Sequence, residues 1–127
     1  MDLDNSGNEA LDREKLFLRA VNLFDSRDWF LAHDAFEELW METHGPERST
    51  LQGLLQVAVA QLHIQRGNRN GATILLGEGL GRLKTLGRPD LGLDLYSLCI
   101  RVEECLAILQ QDVDLEEFIF PPISKRV

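Results

Sequence analysis

Basic charge is scarce in this chain: 13 Lys and Arg stand against 21 Asp and Glu, a formal net charge of −8. Nucleic-acid binding relies on clustered cations that displace counterions, so a DNA or RNA partner is not expected. Long apolar runs are missing as well. None approaches the roughly 20 residues that cross a bilayer, and the acidic N-terminus lacks the basic start and apolar centre of a signal peptide. The expectation is a cytoplasmic protein with no membrane partner. Only two cysteines occur. Cys99 and Cys105 are six apart, about 120° around one helix, too far to bridge, so both read as reduced core residues. Strict alternation of apolar and polar residues is also absent, which removes any competing strand pattern.

What remains is a composition 44% hydrophobic and 27% charged over 127 residues, enough for a single globular domain with a real core. Residues 1 to about 9 are polar with nothing to bury and read as a mobile tail ahead of one helical domain over 10–127. Leu16, Ala20, Leu23 and Phe24 line a first helix ending near Ser26, Arg27 and Asp28. Asp28 is placed to cap a second, whose stripe is Trp29, Ala32, Phe36, Leu39 and Trp40 and which Gly45 and Pro46 stop. Ser49 or Thr50 would cap a third helix, apolar around most of its circumference through Leu51, Leu54, Leu55, Val57, Ala58, Val59 and Leu62, as befits the centre of a bundle. Gly67 and Asn68 end it. A fourth helix runs from about Arg69 to Leu86, and a fifth from about Leu91 to Gln110. The prolines at 121 and 122 turn the last stretch, 112–127, into an extended strap. Its large apolar groups pack either across the bundle or across a neighbouring subunit, which leaves a homo-oligomer open.

The predicted architecture is an all-α, compact bundle of about five helices. A faint repeat at a shift of 40 adds detail: Ala20, Ala32 and Glu38 recur as Ala60, Ala72 and Glu78, while Phe24, Asp28, Phe36 and Trp40 become Ile64, Asn68, Leu76 and Leu80. Two related helical hairpins of tetratricopeptide-like character would explain it. Gly77, Gly79 and Gly81 each weaken the fourth helix by about 1 kcal/mol. The line Thr73, Gly77, Gly81 suggests close approach of another helix or a ligand there. The Gly-Glu-Gly-Leu-Gly string has neither the strand nor the spacing of a nucleotide fingerprint.

The candidate site lies in polar stripes. His33, Glu37, Trp40 and His44 share one face of the second helix; Gln52, Gln56, Val59, His63 and Arg66 share one face of the third. If the two helices are antiparallel neighbours, His33 and Glu37 lie near His63 and Arg66, and a buried Glu37–Arg66 pair follows. One reading is structural, a network that sets helix register. Another is a divalent metal held by His33, Glu37 and His63, since His and carboxylate four apart reach one cation; a third is acid–base catalysis by His33 or Glu37. The Glu-x-x-His and His-Glu-x-x-His metal motifs are absent. Arg66, Gly67 and Asn68 form either a helix cap or an anion-binding junction. Asp34, Glu38 and Glu42 need no role beyond solvation, and both tryptophans read as packing anchors.

Ala32-His33-Asp34-Ala35-Phe36-Glu37-Glu38-Leu39-Trp40, Leu51-Gln52-Gly53-Leu54-Leu55-Gln56, and Arg66-Gly67-Asn68 followed by Gly71-Ala72 resemble the bacterial and archaeal helical family catalogued as domain of unknown function 309. The resemblance spans about residues 15 to 86. It departs from the family pattern at Asp34, where Glu is usual and the charge is kept. It implies a compact helical bundle that gathers the three motifs, with no established activity, and it marks His33, Glu37, Trp40, Gln52, Arg66 and Asn68 as the signature. A binding or interaction module is the first functional expectation, and a metal-dependent or acid–base hydrolase using His33, Glu37 and His63 the alternative.

Overall fold

The computed structural model describes residues 5–111, 113 and 119–125. Five helices follow in order: α1 (Asn5–Asp25), α2 (Trp29–Glu42), α3 (Glu47–Gln65), α4 (Arg69–Leu83) and α5 (Leu95–Leu109). The all-α bundle is therefore as expected, and among the described residues the sole β feature is an isolated antiparallel bridge between Leu93 and Ser124.

Two turns explain the repeat. After α1, the Arg27 N–H donates to the Phe24 carbonyl and the Asp28 N–H to the Leu23 carbonyl at 2.9 Å; after α3, forty residues later, the Gly67 N–H donates to Ile64 and the Asn68 N–H to His63 at 2.8 Å. Each turn pivots on a left-handed residue, Arg27 at φ 61° and Gly67 at φ 75°. The paired positions Ala20 and Ala60, Ala32 and Ala72, and Phe36 and Leu76 are all fully buried. The hairpins α1–α2 and α3–α4 thus share a turn and a core pattern, and α3 sits between α2 and α4 as the central helix.

Small residues set the α3–α4 spacing. A Cβ on Gly79 would lie 3.0 Å from the Gly53 carbonyl oxygen, and one on Gly53 would meet Leu83 at 2.9 Å and the Gly79 oxygen at 3.2 Å. The close approach expected along Thr73, Gly77 and Gly81 is thereby moved: Gly77 and Gly81 face open space. The equivalent place in the first hairpin is filled by a hydrogen bond, from the Arg13 guanidinium to Thr43 Oγ1.

Aromatic rings meet edge-on in the core, Phe24 with Trp29 at 5.0 Å and with Phe36 at 6.3 Å, and Trp29 with Phe120 at 6.2 Å. Such pairs add roughly 0.5–1.5 kcal/mol each beyond area burial. Phe120 and Ile123 are buried against the same chain, the first of the two alternatives for the apolar strap. Ile119 stays exposed, while the rest of that expectation, at 114–118, lies outside the described residues.

Several helix ends differ from expectation. α1 begins at Asn5 rather than after residue 9, and from it Arg13 reaches Thr43 at the C-cap of α2, a contact that local composition does not reveal; residues 1–4 lie outside the described set. Asp28 occupies the N-cap of α2 without a side-chain cap bond. α3 starts at Glu47, after Pro46, and the Thr50 hydroxyl, expected to cap it, donates to the Pro89 carbonyl at 2.7 Å. α4 stops at Leu83, and α5 begins at Leu95 under an Asp94 cap.

Candidate functional site

At about 100° per residue, the core of α2 is centred on Ala32, Phe36 and Leu39, and His33, Glu37 and Trp40 fall together on one flank of it. All three are half-buried. Imidazole Nε2 of His33 lies 2.9 Å from Glu37 Oε2, with side chains 23% and 45% exposed. His33 Nδ1 and Trp40 Nε1 are buried and have no hydrogen-bond partner among the described residues. The guanidinium of Arg48 stacks 3.9 Å over the Trp40 ring and donates to the Trp40 carbonyl at 2.8 Å. This cation–π contact is what joins the α2 stripe to α3.

The α3 residues fall into two sets. Arg48, Gln52, Leu55, Val59, Leu62, His63 and Arg66 occupy one sector about 100° wide, and every one is half-buried or exposed, whereas the mid-helix residues outside it are buried. Gln56, on the sector's edge, turns to α4. Its Nε2 donates to Glu78 Oε2 at 2.8 Å, and its Oε1 accepts from Arg82 Nε at 3.0 Å. Opposite charges thus fix both ends of one amide. Glu78, Arg82 and Arg48 were not singled out from the sequence; Glu78 was visible there as the repeat partner of Glu38, but its contact with Gln56 spans two helices.

The expected network between α2 and α3 is corrected on two points. No ion pair joins Glu37 to Arg66 among the described residues; Glu37 holds His33 and Arg66 is exposed. Nor do three or more His, Cys, Asp or Glu side chains gather as a metal-holding group among the described residues, so His33, Glu37 and His63 do not come together. The reason is axial. In a tight hairpin His33 is level with about Gln56 and Glu37 with about Gln52, which leaves His63 about 10 Å and Arg66 about 20 Å further along at 1.5 Å per residue. His44, beyond the end of α2, is exposed.

The Arg66-Gly67-Asn68 motif is a turn device. Gly67 takes the left-handed conformation, and Asn68 Oδ1 accepts from the Gly71 N–H at 2.9 Å to cap α4. Asn68 Nδ2 lies 3.1 Å from His63 Nδ1. A Cβ on Gly71 would come within 2.7 Å of Asn68 Nδ2 and 3.1 Å of His63 Nδ1. Asn68, Gly71 and His63 therefore form one capping unit. Gly53, in the Leu-Gln-Gly motif, serves the α3–α4 contact. Of the three motifs, the one on α2 keeps polar groups that packing does not account for.

Comparison with known proteins agrees with these motifs. The chain is 36% identical over 77 residues to the uncharacterized protein YpuF of Bacillus subtilis (strain 168), an alignment covering 58% of this chain and 44% of that relative. The chain thus spans less than half the length of the relative it matches. The hairpin-to-hairpin region from α1 into α4 carries all three motifs, and it is here, over residues 17–75, that the chain matches the family described as Domain of unknown function (DUF309).

Proposed function

We propose that this chain is a binding module that seats an amphipathic helical segment of a partner protein on the uncovered sector of α3. One observation carries the reading: along this sector the central helix of the bundle leaves Leu55, Val59 and Leu62 only partly buried. Their spacing of i, i+4, i+7 is that of one helix face, and helix-in-groove recognition uses such anchors. Trp40 on α2 is held by Arg48, and Glu78 and Arg82 on α4 are held by Gln56, so polar groups already fixed in place flank the sector. A preorganised polar rim around an apolar floor lowers the ordering cost of binding.

A second reading, an acid–base or metal-dependent hydrolase, draws on the 2.9 Å His33–Glu37 contact. It asks for an imidazole nitrogen open to substrate or metal, whereas Glu37 occupies Nε2 and Nδ1 is buried; binding is the better-supported reading.

Panning a random 15-residue peptide display library on the folded protein tests it. Synthetic copies of enriched peptides are expected to shift the amide resonances of Leu55, Val59 and Leu62 and to lose binding at least tenfold in Val59→Glu, a variant that keeps the wild-type unfolding midpoint. Enriched peptides that bind Val59→Glu equally well, or that perturb only another face, refute the proposal.

A further inference from the structure

Asn70 and Gly71 form the one Asn-Gly or Asp-Gly step in the sequence. Such a step is chemically labile in a flexible chain, because a following glycine lets its backbone nitrogen reach the asparagine amide carbon with no Cβ in the way. Here both residues lie in the first turn of α4. The turn itself calls for the glycine, since a Cβ at position 71 would come within 2.7 Å of Asn68 Nδ2. A helix leaves the N–H groups of its first turn without intrahelical partners. The Gly71 nitrogen would be one of these, but Asn68 Oδ1 accepts from it at 2.9 Å. Asn68 is held in that orientation through Nδ2, 3.1 Å from His63 Nδ1. Arg69, next in the chain, is tied to the end of α5: its guanidinium donates to the carbonyls of Ile108, Leu109 and Gln111 at 3.2, 3.3 and 2.9 Å. Asn70 is exposed.

From this geometry we infer that Asn70 is a site of spontaneous deamidation that the Asn68 cap keeps closed, so that its conversion records openings of the α3–α4 turn. In the reaction the Gly71 nitrogen gives its proton to solvent and attacks Asn70 Cγ. The new C–N bond closes a cyclic imide, the Cγ–Nδ2 bond breaks, and ammonia leaves. Water then opens the imide at either carbonyl, which gives aspartate or, with the chain rerouted through the side chain, isoaspartate. The fold opposes the attack twice over. Asn70 must leave helical ψ before the nitrogen can face Cγ, and the Gly71 N–H must first leave Asn68. Local opening of the first turn meets both conditions, and helix ends open at the lowest cost. The isoaspartyl form has an extra backbone carbon between residues 68 and 71, so the cap spacing is lost and the opening becomes permanent. The inference does not depend on the binding function proposed for α3.

Incubation at pH 8 and 37 °C, followed by peptide mapping that separates the asparagine, aspartate and isoaspartate forms, provides the test. Folded wild type is expected to convert at Asn70 at least tenfold more slowly than the free peptide acetyl-Gly-Asn-Arg-Asn-Gly-Ala-amide, and to reach the peptide's rate in concentrated urea. Asn68→Ala should convert about tenfold faster than wild type, the factor that a lost cap corresponds to, while amide exchange in the middle of α3 stays at its wild-type rate. Asn68→Asp keeps the acceptor and should convert no faster than wild type. Folded wild type converting as fast as the peptide, or Asn68→Ala converting no faster than Asn68→Asp, overturns the inference. So does a rise in Asn68→Ala that is matched by faster exchange in α3, because global unfolding rather than the cap would then set the rate.

Discussion

At the scale of single residues, the contrast between Trp40 and Cys105 shows how burial is used. Trp40 keeps one face for the Arg48 guanidinium, so its ring is both wall and anchor. Cys105 is fully enclosed, and desolvation pushes its thiol from the ordinary 9.0 up to about 11, with Arg101 opposing weakly. Burial raises Cys99 as well, in the same direction. A raised thiol means that the fold binds the proton more tightly than the unfolded chain does. The resulting stability is complete below pH 9 and is lost as pH climbs from 9 to 11. The stability gap between wild type and Cys105→Ala, measured by urea unfolding, should therefore be constant from pH 7 to 9. It should then narrow by about 2 kcal/mol toward pH 11; a pH-independent gap would mean that the thiol is solvated in the fold.

Between elements, the glycines sort by what they touch. In α4, Gly79 lies against the Gly53 carbonyl, while Gly81, two residues on, has nothing near it. Gly79→Ala should cost about 1–3 kcal/mol, because backbone cannot yield as a side chain can. Gly81→Ala should stabilise by about 0.5–1 kcal/mol through helix propensity alone. Thermal unfolding of both variants checks this, and equal effects would remove the argument for close helix approach. The presence of three glycines told from sequence that α4 carried a cost with a purpose. Which of them held the purpose depended on the rotation of α4 against α3, a tertiary quantity. For the same reason Gln56 could be recognised as a polar residue on a greasy helix, yet its partners Glu78 and Arg82 could not be named.

For the molecule as a whole, a clasp joins the end of α1 to the C-terminal strap. The Asp25 carboxylate at the end of α1 accepts from the Ile123 N–H at 2.7 Å, the Ser124 N–H at 3.3 Å and the Ser124 hydroxyl at 2.6 Å. The Asp94 N–H donates to the Ile123 carbonyl at 2.8 Å, and Ile123 is fully buried. Strap, first turn and α5 are thus tied at one point. Asp25→Ala leaves two backbone donors unanswered and should cost about 2–3 kcal/mol. Amide exchange at Ile123 and Ser124 should accelerate far more than in α3. If exchange there is unchanged, the clasp does not hold the strap.

Periodicity, turn residues and the forty-residue echo were enough to specify five helices, their order, their apolar faces and the hairpin repeat. These follow from local rules, since a helix's faces are set by its own 3.6-residue period and its turns by residues within a few positions. The tertiary structure alone decided axial level and partner choice. His33, Glu37, His63 and Arg66 carry the right chemistry for a shared site, but α2 is 14 residues long and α3 is 19, so the polar groups of α3 that lie beyond the reach of α2 bond to their own turn or face solvent. Pairing between helices depends on where one stops relative to the other, and no single helix's sequence encodes that distance.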